Sequence, residues 1–199
     1  FKSVQKETDY FTILKFYVVF MVISELISLI FNIPLLIKSS LFLYASFVGL
    51  ISTAVFAFVF PFVGAGIIHL GVLIFKGKEG YFNTFKPTAY AVSIGAFYNV
   101  ISSAITGIYG WFVPIDLTNI TTSLDQLAGS MFVIIVTTII GLISLAHILY
   151  TQIAGLTLYQ KMERKRALLA IITIPLILLI IGVILLALGL SITSSLYNF

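Results

Sequence analysis

The sequence has 199 residues, of which 60% are apolar and only 9% are charged, and its mean hydropathy is +1.17. Soluble domains carry about 25% charged residues, so this chain has too few charges to cover a water-exposed surface. Intrinsic disorder is excluded as well, because disordered chains combine low hydrophobicity with high charge. The sequence has no cysteine, which excludes disulfides, thiolate metal sites and a cysteine nucleophile. The composition therefore predicts an integral membrane protein.

Five apolar segments are long enough to cross a bilayer, which takes about 20 residues in a helix. Four of them contain no Asp, Glu, Lys or Arg, and the first is interrupted only by Lys15 and Glu25. A transmembrane barrel would instead need alternating segments of about ten residues. We therefore predict an all-α fold, in which residues 1–199 form a single domain with five transmembrane helices. The predicted spans are 11–36, 44–75, 87–113, 128–158 and 167–192.

The basic residues are confined to alternate connecting segments. All Lys and Arg residues except Lys38 lie in the N-terminal segment, in 76–86 or in 161–166. Because basic loops stay in the cytoplasm, we predict that these three segments are cytoplasmic and that 114–130 is external. The N-terminus is then inside and the C-terminus outside. Since the chain begins with Phe rather than Met, we also expect a preceding segment, but no cleavable signal peptide.

Three polar side chains are predicted to lie at similar depth near the middle of the membrane: Glu25, Asn99 and His147. Their depths follow from the rise of about 1.5 Å per helical residue. A carboxylate in hydrocarbon costs at least about 2.5–3.5 kcal/mol, so Glu25 is expected to face the bundle interior and to find polar partners. This candidate cluster is either a proton or substrate site or a structural set of hydrogen bonds around a neutral Glu25, and the sequence leaves both open.

A stripe of small residues marks the second span, where Ala45, Gly49, Thr53 and Ala57 recur at every fourth position. Small residues let helix backbones approach closely in membranes. The stripe therefore predicts a tight contact between helices.

Motifs for catalysis and for metal or cofactor binding are missing from the sequence. There is no nucleophile elbow, HExxH or Walker A motif, and Gly77-Lys-Glu-Gly80 is not a P-loop. His69 and His147 are too few for a structural metal site. We expect a protein that is not an enzyme, has no cofactor or metal, and binds no nucleic acid.

The segment after the second span carries a family pattern. It reads His69-Leu-Gly, then Gly77-Lys-Glu-Gly80-Tyr-Phe82-Asn-Thr84-Phe85-Lys, then Ala89-Tyr90. Further matches are Gly155-Leu156, Arg166-Ala167 and Pro175. The whole resembles the Yip/Yif membrane proteins (the Ypt-interacting-protein, or Yip-one, domain family), in particular prokaryotic members. The resemblance covers nearly the whole chain and implies five spans with a cytoplasmic N-terminus.

The resemblance also implies a class of function. Eukaryotic members look like adaptors that bind Rab-type GTPases, but the first span lacks their Gly-Pro signature, so no GTPase partner is assumed. No catalytic residues come with the family. We therefore expect a non-enzymatic membrane organiser or adaptor in the cell membrane of a prokaryote, acting through its cytoplasmic loops. Beyond the lipid bilayer, a second copy or other membrane proteins are the partners considered.

Two sets of loop residues are candidates for these contacts. The candidate interaction loop comprises Gly77, Gly80, Tyr81, Phe82, Thr84, Phe85 and Tyr90. Its aromatic side chains are expected either to stand exposed as anchors for a partner or to belong to the interfacial aromatic belt. The candidate contacts with anionic lipids are Lys161, Arg164, Lys165 and Arg166, which also fix topology. The alternative function is a small transporter or channel that uses the polar site around Glu25.

Overall fold

The computed structural model describes residues 9–38, 40–112 and 124–196. All regular structure in these ranges is helical: α1 (Tyr10–Phe31), α2 (Ile33–Lys38), α3 (Ser40–Ile74), α4 (Phe82–Phe112), α5 (Leu124–Tyr159) and α6 (Arg164–Leu196). Five of these helices are long and apolar enough to cross a membrane, which confirms the predicted all-α fold. The short α2 connects the first two of them. Most of the predicted external loop, residues 114–123, lies outside the described ranges.

Polar side chains set both ends of α1. Asp9 caps its start, since the Asp9 carboxylate accepts hydrogen bonds from the Phe11 and Thr12 N–H groups at 3.1 and 3.3 Å. At the other end the Asn32 N–H donates to Ser28 O, and the Asn32 side-chain amide donates to the same oxygen at 2.8 Å. Asn32 is the C-cap of α1, which has 22 residues and a length of about 33 Å at 1.5 Å per residue.

The helices pack around two buried apolar clusters. α1 contacts α3 and α4, α4 contacts α5, and α6 contacts α3 and α5. One cluster joins α1, α3 and α4 through Ile13, Tyr17, Ala57, Ala65, Phe85 and Ala89. The other joins α3, α5 and α6 through Ile68, Val72, Leu156, Met162, Ala167, Ala170 and Ile171. Many large apolar side chains elsewhere are exposed, as contact with lipid requires.

The start of α1 and the two loops 75–81 and 160–163 meet at one end of the bundle, which we call the loop end. The Tyr10 ring lies 4.5 Å from the Phe82 ring, and the Gln160 side chain is hydrogen-bonded to Gly80. This is the arrangement that alternating basic segments predict. The side of the membrane that the loop end faces remains a prediction.

The closest approaches between helices occur at two glycines outside the predicted stripe. A Cβ at Gly71 would overlap the Ala170 carbonyl oxygen of α6, and one at Gly107 would overlap the Phe31 carbonyl oxygen of α1. Within the stripe, Ala57 is buried but Ala45 is exposed. The α3 stripe is therefore in close contact with its neighbours only at the Ala57 end.

Candidate functional site

The loop between α3 and α4 begins with a left-handed turn that folds it back over the end of α3. Lys76 has a φ of 64°, and its N–H donates to Leu73 O at 3.2 Å. The Gly77 N–H donates to Val72 O at 2.8 Å, which completes a Schellman motif and satisfies the last carbonyls of the helix. A Cβ at Gly77 would overlap Val72 Cγ1, so this position requires glycine.

A buried amide joins this loop to the end of α5. The Gln160 side chain is 2% exposed, and its Nε2 donates to Gly80 O at 3.1 Å and to Thr84 Oγ1 at 3.0 Å. Its Oε1 accepts a hydrogen bond from the Glu79 N–H at 3.1 Å. His69 Nδ1 lies 2.8 Å from the same Thr84 oxygen. These five residues form the Gln160 network, in which the polar groups of the loop are satisfied within the protein.

The aromatic side chains of the candidate interaction loop pack into the bundle. Phe85 is 0% exposed and stacks on Phe62 with ring centroids 4.7 Å apart. The Tyr81 hydroxyl donates to Phe62 O at 2.6 Å. Burial, and then the neighbouring Tyr10 hydroxyl, raise the pKa of Tyr81 above its ordinary value.

These contacts correct the expectation that the loop presents exposed aromatic anchors. Phe85 is fully buried, whereas Tyr81, Phe82 and Tyr90 are half-buried. The reason is that Tyr10, at the start of α1, covers the loop aromatics. Thr84 is also buried, so the side chains of this loop that point outward are those of Lys76 and Lys78.

Lys86 is a buried cation at the start of α4, and the sequence analysis did not single it out. It is 2% exposed, and its Nζ lies 5.0 Å from the ring centroids of both Phe82 and Tyr159. Cation–π attraction to two rings stabilises a charge in this position. Beside it, a Cβ at Gly155 would overlap Pro87 Cβ, so α4 and α5 touch closely here. Lys86 is therefore part of the packing and not of the exposed basic surface.

The other basic side chains of the loop end are exposed. They are Lys76, Lys78, Lys161, Arg164, Lys165 and Arg166. Lys161 Nζ lies 2.7 Å from Glu79 Oε1, and Arg166 Nε lies 3.7 Å from Glu163 Oε2. Lys76 and Arg166 also line a cleft of about 250 Å³. This surface can attract anionic groups, whether lipid headgroups or acidic side chains.

Glu25 and Asn99 line one cavity of about 380 Å³ between α1, α3 and α4, which we call the Glu25 cavity. Its lining consists of Glu25, Ser28, Leu29, Asn32, Leu36, Ser46, Asn99, Ser103 and Thr106. Glu25 is half-buried, and its Oε1 lies 4.0 Å from the position that a Cβ on Gly49 would occupy. Ser28 Oγ is buried without a hydrogen-bond partner. The cavity thus contains polar groups that the described residues leave unsatisfied.

His147 does not join the other two members of the predicted cluster. It is exposed and lines a separate, mostly apolar groove of about 430 Å³ with Phe16, Phe97 and neighbouring side chains. Its Nδ1 lies 3.3 Å from the Tyr98 hydroxyl. Adjacent residues of a helix point about 100° apart, so Tyr98 reaches α5 while Asn99 points into the Glu25 cavity. The predicted cluster of three is therefore divided between two sites.

Gln160 is the functional candidate that the sequence analysis missed. The signal that could have found it is its position, since it is an amide placed directly between an apolar run and the basic cluster. As for metals, the described part of the chain holds no group of three or more His, Cys, Asp or Glu that could bind one.

Comparison with known families matches the Yip1 domain to residues 1–186, which include both the loop end and the Glu25 cavity. No curated protein and no solved structure gives a significant match. The matched range contains the family pattern from His69 to Tyr90 and all five of the long apolar helices, at least in part. The chain is a multi-pass integral membrane protein that belongs to the Yip1 domain family.

Proposed function

We propose that this protein is a non-enzymatic organiser or adaptor of the Yip type, which holds partner proteins at the loop end in the cell membrane of a prokaryote. The observation that carries the proposal is the Gln160 network, because the buried Gln160 side chain joins loop 160–163 to loop 75–81 without using the exposed basic side chains. The exposed basic side chains are thus left for a partner. A surface that is ordered before binding loses less conformational entropy when the partner arrives.

The contacts of the adaptor are made by charges rather than by aromatic rings. Since Phe85 is buried and Lys78 and Lys165 are exposed, the partner that fits is a membrane protein with an acidic cytoplasmic segment. Charge complementarity of this kind raises the association rate and sets the orientation of the partner. Anionic headgroups compete for the same side chains, at about 1 kcal/mol for each basic residue.

The proposal requires that the loop end faces the cytoplasm. Single cysteines in place of Glu79 and Glu163 should be protected from a membrane-impermeant reagent in intact cells, and one in place of Thr122 should react. These 199 residues contain no cysteine, so each signal within them is specific. Labelling at 79 or 163 in intact cells would mean that the predicted orientation is wrong and that the loop end faces outward.

Site-specific photo-crosslinking in the native host tests the adaptor itself. A crosslinking residue at Lys78 or Lys165 should give discrete protein adducts, whereas one at Leu179, an exposed apolar position of α6, should not. Adding Arg164→Glu and Arg166→Glu should remove the adducts at Lys78 while the protein still inserts. Adducts with lipid alone at both loop positions, or the same protein adducts at Leu179, would contradict the adaptor.

A further inference from the structure

We propose that the Glu25 cavity is a binding site for a monovalent cation, either an inorganic ion or a small primary ammonium. The site would lie at the end of the bundle away from the Gln160 network. It is therefore independent of the adaptor surface, and each proposal can fail without the other.

The described lining of the Glu25 cavity contains an acidic side chain but no basic one. No hydrogen bond or ion pair joins the carboxyl group of Glu25, the acidic member of the described lining, to any described residue. A carboxylate within a membrane needs a compensating partner, because hydrocarbon does not solvate it. None of the described lining residues is basic, so an ionised Glu25 takes its compensating positive charge from outside this lining.

The other polar side chains of the cavity offer oxygen atoms as ligands. Around Glu25 stand the hydroxyls of Ser46, Ser103 and Thr106 and the amide of Asn99. Such oxygen ligands suit hard cations, whereas zinc and copper sites use imidazole or thiolate ligands. Divalent cations generally use several carboxylates, while a single carboxylate balances a single positive charge.

One hydroxyl of the cavity lining is buried without a hydrogen-bond partner. Ser28 is 5% exposed, lines the cavity, and its Oγ has no hydrogen-bond partner. Buried polar groups without partners are rare in native proteins, and a bound ion or water is one way in which such a group is satisfied. The side-chain amide N–H of Asn32 donates to Ser28 O, so the side-chain carbonyl oxygen of Asn32 is available to a cation. Both oxygens lie on the same helix face as Glu25.

The cavity is large enough for a hydrated cation and extends along α1 as far as α2. A cavity of about 380 Å³ has room for a cation together with several waters. It reaches from Glu25 to Leu36 in α2, so it extends to the junction of α1 and α2. On the predicted topology this junction lies toward the external side. A partly hydrated Na⁺ or K⁺ and an alkylammonium group share the same recognition chemistry.

Cysteine accessibility tests the site in protein reconstituted into nanodiscs. With Ser103→Cys as the sole cysteine, a cationic aminoethyl thiosulfonate should react about tenfold faster than its anionic sulfonatoethyl analogue, as the nearby carboxylate attracts cations. Adding Na⁺, K⁺ or ethylammonium should slow the reaction, relative to the bulky cation N-methylglucamine at equal ionic strength. A Lys78→Cys protein at the loop end is the matched control, and its rate should not respond.

The variant Glu25→Gln should bring the two reagent rates together and abolish protection by cations. If that variant does not fold, protection of Ser103→Cys in the presence of Glu25 decides the question. Protection by Na⁺ or K⁺ identifies an inorganic ion, and protection by ethylammonium alone identifies an organic one. Absence of protection by all three cations overturns the proposal, whatever the ratio of the reagent rates.

Discussion

At the loop end, the buried amide of Gln160 uses both its nitrogen and its oxygen in three hydrogen bonds to residues 79, 80 and 84, whereas the hydroxyl of the adjacent Tyr159 is buried without a partner. In the Glu25 cavity, Ser28 Oγ is buried without a partner, and Glu25 is not hydrogen-bonded to any residue that the structure describes. The polar side chains of the Gln160 network thus bond to one another, whereas Glu25 and Ser28 in the cavity lack such partners among the described residues. Satisfied polar groups rigidify a fold, whereas unsatisfied ones have capacity for a ligand.

The largest effect should come from removing the amide at the centre of the loop end. Gln160→Leu leaves the Glu79 N–H, Gly80 O and Thr84 Oγ1 without this partner. At about 1 kcal/mol for each lost bond, we expect the free energy of unfolding to fall by about 3 kcal/mol. The measurement is reversible denaturation in mixed micelles.

Gln152→Leu is the matched control for this prediction. Gln152 belongs to the same helix and is 7% exposed, but no hydrogen bond joins its side chain to another described residue. Its replacement should cost much less. Equal losses for the two variants would mean that the Gln160 hydrogen bonds do not stabilise the loop end.

The next largest effect should come from closely packed backbone near the loop end, where a glycine can be compared with one beside the Glu25 cavity. Gly155→Ala places a Cβ against Pro87, and overpacking of this kind costs about 2 kcal/mol. Gly49→Ala faces the Glu25 cavity, where the new Cβ meets Glu25 Oε1 at an ordinary 4.0 Å. That variant should keep its stability or gain up to about 1 kcal/mol, since alanine favours a helix over glycine. Thermal unfolding in detergent gives both values, and similar melting temperatures would contradict the difference.

Charge placement made the architecture predictable from the sequence. Runs without charge, bounded by Lys76 and Lys161, indicate the long helices, because a bilayer tolerates few charges over about 20 residues. The same basic residues indicate which loops lie together. The structure has both loops at one end of the bundle, joined by Gln160 and the Glu79–Lys161 ion pair.

The contacts between side chains could not be predicted in this way. Residue counts predict the depth of a side chain in the membrane, but they do not predict how each helix is rotated about its axis. Asn99 and His147 were therefore grouped by depth, although they line different cavities. The burial of Phe85 could not be predicted either, because Tyr10, which covers it, is 75 positions away in sequence. Long-range partners of this kind have no local signal.

A smaller effect should come from the unsatisfied hydroxyl in the Glu25 cavity. Ser28→Ala removes a buried polar atom that has no partner, so stability should stay the same or rise by up to about 1 kcal/mol in N-methylglucamine buffer. Thr84→Val, the matched change at the loop end, should lower stability because Thr84 Oγ1 contacts both Gln160 and His69. Calorimetric unfolding of both variants makes the comparison. A loss at Ser28 as large as that at Thr84 would mean that the two regions are equally satisfied.

The smallest effect should come from the exposed ion pair at the loop end. Lys161 Nζ lies 2.7 Å from Glu79 Oε1, but the two side chains are 77% and 34% exposed, so water and salt screen the attraction. Lys161→Met should therefore change the free energy of unfolding by less than about 0.5 kcal/mol. The Glu79 N–H remains bonded to Gln160 in this variant, so the loop should keep its position. Combining Lys161→Met with Gln160→Leu tests this independence. The two losses should add, and a double variant much less stable than their sum would show that the ion pair supports the loop when the amide is gone.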